Sequence, residues 1–369
     1  MDITLNNKIF PIAEMYQPLY NIAVTEKMSR GCSDRWKTII QAEEGYNNSQ
    51  MFEGEIVDWG CSLGWFSFQM AERSYNKIYA IDWDLNNINV CKELQQISKH
   101  DNINFIHGKV PLDVPDNIKS HIILSVLHHT QQYVLIPNDT LDKLKNAKII
   151  YMELAHCNEW PSWSNNLKPD IADFISPFHY LKRTLEIQFP NFMVRLIGAH
   201  NTHIGSVRPI FQLKAYISEP ITTELFTGSI IDKFILPYID FGDFSLNENG
   251  NLLHKKRYKD GISYAIALDL NNNKYFLKFK DSQLVKKSEF IDGFLLSNII
   301  KFGLLPYYDR HKLKRQLAHY NFSNHKDPHP WNFFVGIDSN LIPIDYDAET
   351  TSLDEKNVNV YIQTLIQLI

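Results

Sequence analysis

The sequence has few cysteines, no long apolar run and no excess of positive charge, and each absence excludes a class of protein. Its four cysteines include no pair at the CxxC spacing, so no structural zinc site is indicated and a reduced, intracellular protein is expected. No run of about 18 apolar residues occurs, so no transmembrane helix is predicted. The first residues, MDITLNNKIF, lack a basic segment followed by an apolar one, so no signal peptide is predicted.

The overall charge gives no sign of an anionic macromolecular partner. The formal net charge is -5, so no global field would attract nucleic acid or an anionic membrane. No basic, aromatic-rich run is present either, and no nucleic-acid partner is expected. A cytoplasmic location is expected, and peripheral association with a membrane stays open.

Short apolar segments alternate with helix-like segments in the first half of the chain. Strands are predicted at 55–60, 77–84, 102–108, 121–129, 148–155 and 208–218, and helices from about Ser29 and at 64–73, 86–99 and 139–146. Residues 156–203 are predicted to be irregular, as functional loops often are. The alternation predicts an α/β fold, a Rossmann-like and mostly parallel sheet with helices on both faces.

The chain is expected to contain two domains, because 369 residues exceed the usual size of one. A boundary is expected at 218–222, which separates a first domain (1–218) from a second (219–369). The second is predicted to be a smaller α+β domain, with strands at 262–270 and 274–280, a helix at 284–301 and a terminal helix after Asp354.

The strongest motif is VDWGCSLGWFS, residues 57–67, at the end of the first predicted strand. Gly60, Cys61 and the residues up to Gly64 form a tight turn, and glycine allows backbone to approach a ligand closely. Asp58 would orient this loop or the amino group of a bound amino acid. The GxxxG spacing differs from the GxGxxG of dinucleotide loops, and the Gly-Lys-Ser/Thr end of a Walker loop is missing.

A second cue is the acid at the tip of the next predicted strand. Asp82 lies 24 residues after Asp58, where a carboxylate accepts hydrogen bonds from ribose hydroxyls. Trp83 would pack on an adenine face, and Lys109, after Gly108, occupies the usual place for contacts to the adenine edge. Together these features resemble the class I S-adenosylmethionine methyltransferases, although a generic Rossmann-like sheet would also use both loop glycines for its turn.

The resemblance extends to a narrower family. The segments YQPLY (16–20), SRGCSDRW (29–36), NINVC (87–91), LSVLHHT (124–130), MELA (152–155) and HNTHIGSVRPIF (200–211) occur in one order. This series resembles the methyltransferase half of the O-antigen chain terminators, bifunctional enzymes that phosphorylate a terminal sugar of a bacterial polysaccharide and methylate that phosphate. The resemblance covers most of residues 14–217.

The resemblance implies S-adenosylmethionine as cofactor and a phosphate oxygen as methyl acceptor. Residues implied at the cofactor, besides those already named, are Tyr16, Arg30, Arg35 and Ser125, the first three of which would bind the methionine carboxylate or close over the site. Residues implied at the acceptor are His128, His129, His203, Arg208 and Glu153. Each has a structural alternative, because a His pair after a strand is often only a hydrogen-bonded loop, and Arg208 before a proline would suit a structural ion pair.

The C-terminal stretch 323–349 holds an HxDxxxxN pattern, His325, Asp327 and Asn332, with Asp345 after a predicted strand pair. This resembles the catalytic loop of protein-kinase-like and aminoglycoside-phosphotransferase-like folds. It implies Asp327 as the residue that orients the attacking hydroxyl, and Asn332 and Asp345 as magnesium ligands. Upstream, Lys278 would contact ATP.

Departures from the kinase pattern indicate a shortened module. Only 49 residues separate Lys278 from Asp327, and only 24 residues of the sequence follow Asp345. Glu289 is the candidate partner of Lys278 on a helix. A phosphate-binding loop upstream of Lys278 would contain a single glycine, Gly261.

Three hypotheses remain at this stage. The first is a methyltransferase acting on a phosphate or hydroxyl at a glycan end. The second is a bifunctional enzyme that also uses ATP and magnesium to phosphorylate that end. The third is a non-catalytic docking protein with a degenerate kinase-like domain. The expected partners are a glycan or phosphoglycan and glycan-assembly proteins at the inner membrane.

Overall fold

The computed structural model describes much of the chain. The described ranges are 2–23, 30–42, 52–73, 76–130, 136–155, 176–202, 205–215 and 293–320, with shorter stretches at 231–235, 244–246, 252–254, 262–269, 274–280, 283–289, 333–336, 338–343, 362–363, 365–367 and 369. The predicted domain boundary at 218–222 lies outside these ranges and stays a prediction.

Two consecutive strands open the described chain, and helices and strands then mostly alternate. The strands are β1 (Asp2–Leu5), β2 (Lys8–Pro11), β3 (Ile56–Trp59), β4 (Ile78–Asp82), β5 (Ile103–His107), β6 (Ser120–Leu124), β7 (Ile149–Glu153), β8 (Phe192–Asn201) and β9 (Val207–Ala215). The helices are α1 (Ser33–Ala42), α2 (Trp65–Arg73), α3 (Leu85–Ser98), α4 (Asn138–Leu144) and α5 (Pro177–Gln188), with a 3-10 turn at Leu127–Thr130.

Seven of these strands form one sheet in the order β5-β4-β3-β6-β7-β9-β8. The pairs among the first five strands are parallel, and β9 is antiparallel to both β7 and β8. The chain order reverses where β3 meets β6, and the carboxyl ends of such a pair open a crevice suited to a ligand. The predicted Rossmann-like sheet is confirmed, and the motif at residues 57–67 lies at this crevice.

Alternate residues of the strands fill two apolar cores, one on each face of the sheet. Ile56, Ile78 and Ile122 pack with residues of α1, α2 and α3, whereas Val57 and Ile123 pack with residues of α4 and α5. Because successive side chains of a strand point to opposite faces, near-continuous apolar strands supply both cores. The predicted cover of helices on both faces is confirmed.

Two predictions for this region are wrong in part. The strand predicted at 121–129 ends at Leu124, because Ser125 has a left-handed backbone (φ 59°) that cannot continue a strand, and a 3-10 turn follows. The segment 156–203, predicted to be irregular, contains α5 and β8. Helix α5 begins with Pro177 behind the capping hydroxyl of Ser176, a helix start signal within the segment.

The C-terminal part is built mostly from antiparallel strands. In the described ranges its strands are β10 (Ile231–Ile235), β11 (Phe244–Leu246), β12 (Leu252–His254), β13 (Ile262–Asp269), β14 (Lys274–Lys280), β15 (Gln283–Glu289), β16 (Phe294–Leu295), β17 (Phe333–Val335) and β18 (Leu341–Pro343). Its helices include α6 (Leu296–Lys301) and α7 (Arg310–Ala318), and residues 362–363 and 365–367 are also helical. The sheets run β10-β13-β14-β15, β11-β12 and β16-β17-β18. The predicted α+β character and both predicted strands are confirmed.

The helix predicted at 284–301 is wrong over its first half. Residues 283–289 form β15, which pairs antiparallel with β14, and only α6 is helical. Two residues separate β14 from β15, so hairpin pairing overrides the helical propensity of this stretch. None of the helices in the described ranges combines the length and apolar character needed to cross a bilayer.

His121 is a buried histidine of β6 that is held in its neutral form. Trp59 donates from its indole nitrogen to Nδ1 of His121 at 3.2 Å, and Nε2 of the ring donates to the Ile118 carbonyl at 3.2 Å. Burial lowers the pKa of His121 from its usual 6.5 to about 4, against the smaller effect of the Ile118 hydrogen bond. Protonation of the ring is therefore tied to unfolding.

We expect the stability of the protein to fall as pH falls through this window. His121 binds a proton below about pH 6.5 in the unfolded chain but only below about pH 4 in the folded chain. Lowering the pH from roughly 7.5 to 5 should therefore reduce the free energy of unfolding by about 2 kcal/mol through His121. Urea unfolding at both pH values should show a smaller loss in His121→Gln. Equal pH dependence of the two proteins would contradict the assignment.

Candidate functional site

The loop between β3 and α2 is the floor of the crevice. Gly60 has φ 63°, and a Cβ there would lie 2.8 Å from Cγ2 of Val126, so only glycine fits. The amide of Cys61 donates to the Ile81 carbonyl at 2.9 Å, and the amide of Gly64 donates to the Cys61 carbonyl at 2.8 Å. The predicted tight turn is therefore present.

Replacing Gly60 with alanine should destabilise the protein by about 1–3 kcal/mol, because the new methyl group meets Val126 in a left-handed backbone. Ser62 also has a left-handed backbone (φ 51°), so Ser62→Gly is the matched change and should not destabilise. Urea unfolding of both variants tests this pair. A Gly60→Ala protein as stable as the parent would show that the loop is not fixed in this conformation.

Asp82, at the tip of β4, orients the loop. Its Oδ2 accepts from the amide of Ser62 at 2.8 Å, and its Oδ1 accepts from the amide of Asp84 at 2.9 Å. Burial raises the pKa of Asp82, and these two backbone hydrogen bonds oppose that rise. A carboxylate oxygen accepts more than one hydrogen bond, so both oxygens retain capacity for a ligand hydroxyl.

Trp83 and Lys109 lie at the same edge of the sheet. Trp83 is 73% exposed, which is unusual for so large an apolar side chain, and its carbonyl accepts from Nε2 of His107 at 3.0 Å. The amide of Gly108 donates to the Asp82 carbonyl at 2.9 Å, which brings the loop after β5 beside the acid. Lys109 is exposed, and its amide donates to Asp113 at 2.6 Å. Asp82, Trp83 and Lys109 thus lie at the tips of two neighbouring strands, and their roles at a cofactor stay a prediction.

Asp58 is buried on the α2 side of β3. Its Oδ2 accepts from the hydroxyl of Ser67 at 2.6 Å. Burial raises the pKa of Asp58 to about 7, the Ser67 hydrogen bond and Arg35 lower it, and Asp82 raises it. A cationic group beside Asp58 would favour its ionised form. The Cys61 thiol is fully buried and burial raises its pKa well above 9.0, so it stays protonated and is no nucleophile.

Glu153, at the end of β7, lies at the centre of a buried charge cluster. It accepts hydrogen bonds from Arg30, from Nη1 of Arg35 at 3.1 Å and from the hydroxyl of Ser125. Burial pushes the pKa of Glu153 upward, but Arg35, Arg30, Ser125 and Arg208 outweigh it, and the pKa is lowered. Glu153 is thus ionised and enclosed by cations.

The two arginines that hold Glu153 tie the N-terminal segment to this cluster. Arg30 donates from Nη1 to the Asn201 carbonyl at 3.0 Å, and its amide donates to the Tyr16 carbonyl at 3.1 Å. Arg35 donates from Nε to the Gly31 carbonyl at 2.9 Å, and its guanidinium lies 5.1 Å from the ring centre of Phe66. Tyr16 and Arg30, both predicted at the methionine carboxylate, are therefore joined by a backbone hydrogen bond. Arg30 and Arg35 form ion pairs with Glu153.

The predicted acceptor residues are placed unequally. Arg208, on β9, is 4% exposed and contributes positive charge at Glu153. His128 is half-buried in the 3-10 turn, in which His129 also lies, although the side chain of His129 is outside the described part. His203 lies outside the described residues. Arg208 and Glu153 are thus brought together, whereas the contribution of the histidines stays a prediction.

Two residues of the site were missed from the sequence. The side chain of Gln17 accepts from the amide of Trp65 at 3.2 Å, and so binds the start of the helix that follows the loop. His200, opposite Arg208 in the β8–β9 register, bonds Thr38 of α1 at 2.9 Å. Burial lowers the pKa of His200, and Glu153 opposes this. Both residues stand in the motifs YQPLY and HNTHIGSVRPIF, but only contacts across the fold reveal their roles.

The kinase-like residues are less completely placed. Lys278 lies in β14, opposite Lys286 of β15, and Glu289 ends β15 opposite Tyr275. The prediction of Glu289 as a helix partner is wrong, because it lies in a strand. Asp327, Asn332 and Asp345 lie outside the described residues, so magnesium binding stays a prediction. In the described part of the chain, no group of three or more His, Cys, Asp or Glu could hold a metal ion.

The fold of this chain is similar to those of solved protein structures. No protein-family model matches the sequence, and no curated protein matches it. A high-resolution crystal structure of WbdD matches at 20% identity with a TM-score of 0.48, over 96% of this chain and 85% of that one. WbdD with the kinase inhibitor LY294002 matches at 20% identity and a TM-score of 0.47, over 97% and 86%. A medium-resolution structure, described as the bifunctional kinase-methyltransferase WbdD, matches at 19% identity and 0.46, over 96% and 85%.

Proposed function

We propose that this chain is an S-adenosylmethionine-dependent methyltransferase that methylates a terminal phosphate on a bacterial surface polysaccharide or related glycan. The observation that carries the proposal is the pairing of Asp82 with the loop amide of Ser62 at 2.8 Å, at the switch point of the sheet. This contact sets a carboxylate suited to ribose hydroxyls beside a backbone loop in which position 60 must be glycine.

The residues present fit the cofactor. Asp82 keeps acceptor capacity for two ribose hydroxyls, and the exposed indole of Trp83 offers a flat apolar face to adenine. Asp58 lies behind the loop, where an ionised carboxylate would attract the ammonium group of the methionine part. The bound cofactor would supply an electrophilic methyl group, and the chain's own residues orient the two reactants.

The charge cluster around Glu153 supports an anionic acceptor. Three buried guanidinium groups, those of Arg30, Arg35 and Arg208, act together on this one carboxylate, and a cluster of buried guanidinium groups suits the binding of an anion. A phosphate monoester is already ionised near neutral pH, because its second pKa is about 6, so it needs alignment rather than a strong base. A sugar hydroxyl would instead need a base to remove its proton.

The test begins with calorimetric titration of the full chain with S-adenosylmethionine, for which we expect one site per chain. Methyl transfer is then measured with a synthetic glycan ending in a phosphate monoester and with the same glycan ending in a free hydroxyl. The proposal predicts a methyl phosphodiester from the first and no methyl ether from the second.

Each contrary outcome removes a different part of the proposal. Absence of S-adenosylmethionine binding would overturn the methyltransferase assignment as a whole. Binding with methylation of the hydroxyl-ended glycan alone would retain the activity and reject the phosphate acceptor.

A further inference from the structure

A buried chain of polar groups joins helix α5 to the C-terminal part of the protein. Burial raises the pKa of Tyr308, and the hydroxyl of Ser176, which caps α5, lowers it. The Tyr308 hydroxyl lies 3.4 Å from Nδ1 of His179, and Nε2 of His179 lies 3.2 Å from the Val335 carbonyl. Ser176, His179 and Tyr308 are all buried, so their hydrogen bonds are shielded from water.

For a neutral His179 ring, one arrangement of protons satisfies both contacts of the imidazole. A carbonyl oxygen only accepts, so Nε2 of His179 carries the proton that the Val335 carbonyl receives. Nδ1 then accepts from the Tyr308 hydroxyl. A buried chain with every group satisfied fixes one relative position of the parts that it joins.

Apolar contacts surround this polar chain. The ring of Phe178 on α5 lies 4.9 Å from that of Tyr307, and the ring of His179 lies 4.4 Å from that of Phe294. One continuous apolar cluster includes Leu181 and Leu185 of α5, Val57 and Ile123 of the sheet, and Leu296, Ile299, Leu313, Leu317 and Phe333 of the C-terminal part. The outer side of α5 is thus packed as a core and not as a surface.

We propose that segments 293–320, 333–336 and 338–343 serve as the structural cover of α5, so that they fold and unfold with the methyltransferase sheet as one cooperative unit. This role is independent of phosphate transfer. Without the cover, the fully buried Phe178 and the nearly buried Leu181 would meet water, as would the polar chain that starts at Ser176. The kinase-like region would then be required for the first half of the protein to keep its fold.

Native-state hydrogen exchange, read by mass spectrometry on the full chain, tests this cooperativity without any ligand. Leu317→Ala, in α7, removes a side chain that is 1% exposed, and should accelerate the slowest amides of α7 roughly thirtyfold or more. For one cooperative unit, the slowest amides of β3 and β6 should accelerate by the same factor. Val57→Ala, in β3, should reciprocally accelerate the amides of α7.

Acceleration confined to α7 and its neighbours, with β3 and β6 unchanged, would overturn the proposal. If Leu317→Ala yields no folded protein, Tyr308→Phe provides the same comparison, because it removes the buried hydroxyl that contacts Nδ1 of His179. We expect it to accelerate α7, β3 and β6 alike, by roughly tenfold. Tyr79→Phe, which removes an exposed hydroxyl bonded to Glu55, is the matched control and should change little.

Discussion

Replacing Asp82 with asparagine should weaken S-adenosylmethionine binding about a hundredfold or more. The carboxylate would accept hydrogen bonds from two ribose hydroxyls, and bonds to a charged group contribute about 1.5–3 kcal/mol each. Both oxygens of Asp82 accept from backbone amides, those of Ser62 and Asp84. The side-chain NH2 group of an asparagine at position 82 would therefore face one of these N–H donors and lose that hydrogen bond. Calorimetric titration of the folded variant measures the loss directly.

Asp84→Asn is the control for this change, because it makes the same chemical substitution two residues away. Asp84 caps α3 by accepting from the amide of Asn86, and asparagine caps a helix as well as aspartate does. Its affinity for S-adenosylmethionine should stay near that of the parent protein. A folded Asp82→Asn protein that binds as tightly as the parent would remove Asp82 from the cofactor site.

Glu153→Gln should destabilise the protein by about 3–5 kcal/mol. The substitution keeps the shape of the side chain but leaves Arg30 and Arg35 buried without a counter-charge, which is the costly way to break a buried ion pair. The urea midpoint near neutral pH should fall accordingly. Asp116→Asn is the control, because Asp116 pairs with Lys143 at 2.7 Å on the surface, where an ion pair contributes little.

The effect of Glu153→Gln should also depend on pH in one direction. The folded-state pKa of Glu153 lies below its usual 4.5, so its contribution is present above that value and is lost as pH falls through the folded-state pKa. The difference between parent and variant should therefore be largest near neutral pH and shrink in acid. A difference that stays constant down to the acid range would show that Glu153 is not held ionised by the arginines.

Local apolar patterns in the sequence were sufficient to predict most strands of the seven-stranded sheet. The apolar runs that became β3 to β7 are strands in the fold because their residues are buried on both faces, and the turn after β3 follows from Gly60 and Gly64. The same patterns failed where a local signal was weak or overridden. Ser125 ended β6 earlier than its apolar run indicated, and pairing with β14 made a strand of 283–289 despite its helical spacing.

The sequence by itself determined the alternation of strands and helices, the glycine turn from Gly60 to Gly64 and the acid Asp82, since each depends on residues close together in the chain. Only the tertiary structure decided that Glu153 is enclosed by Arg30, Arg35 and Ser125, because these residues are separated by up to 123 positions. It also placed β9 between β7 and β8, and the C-terminal segments against α5. Such contacts depend on burial and charge balance between distant segments, which no local pattern in the sequence encodes.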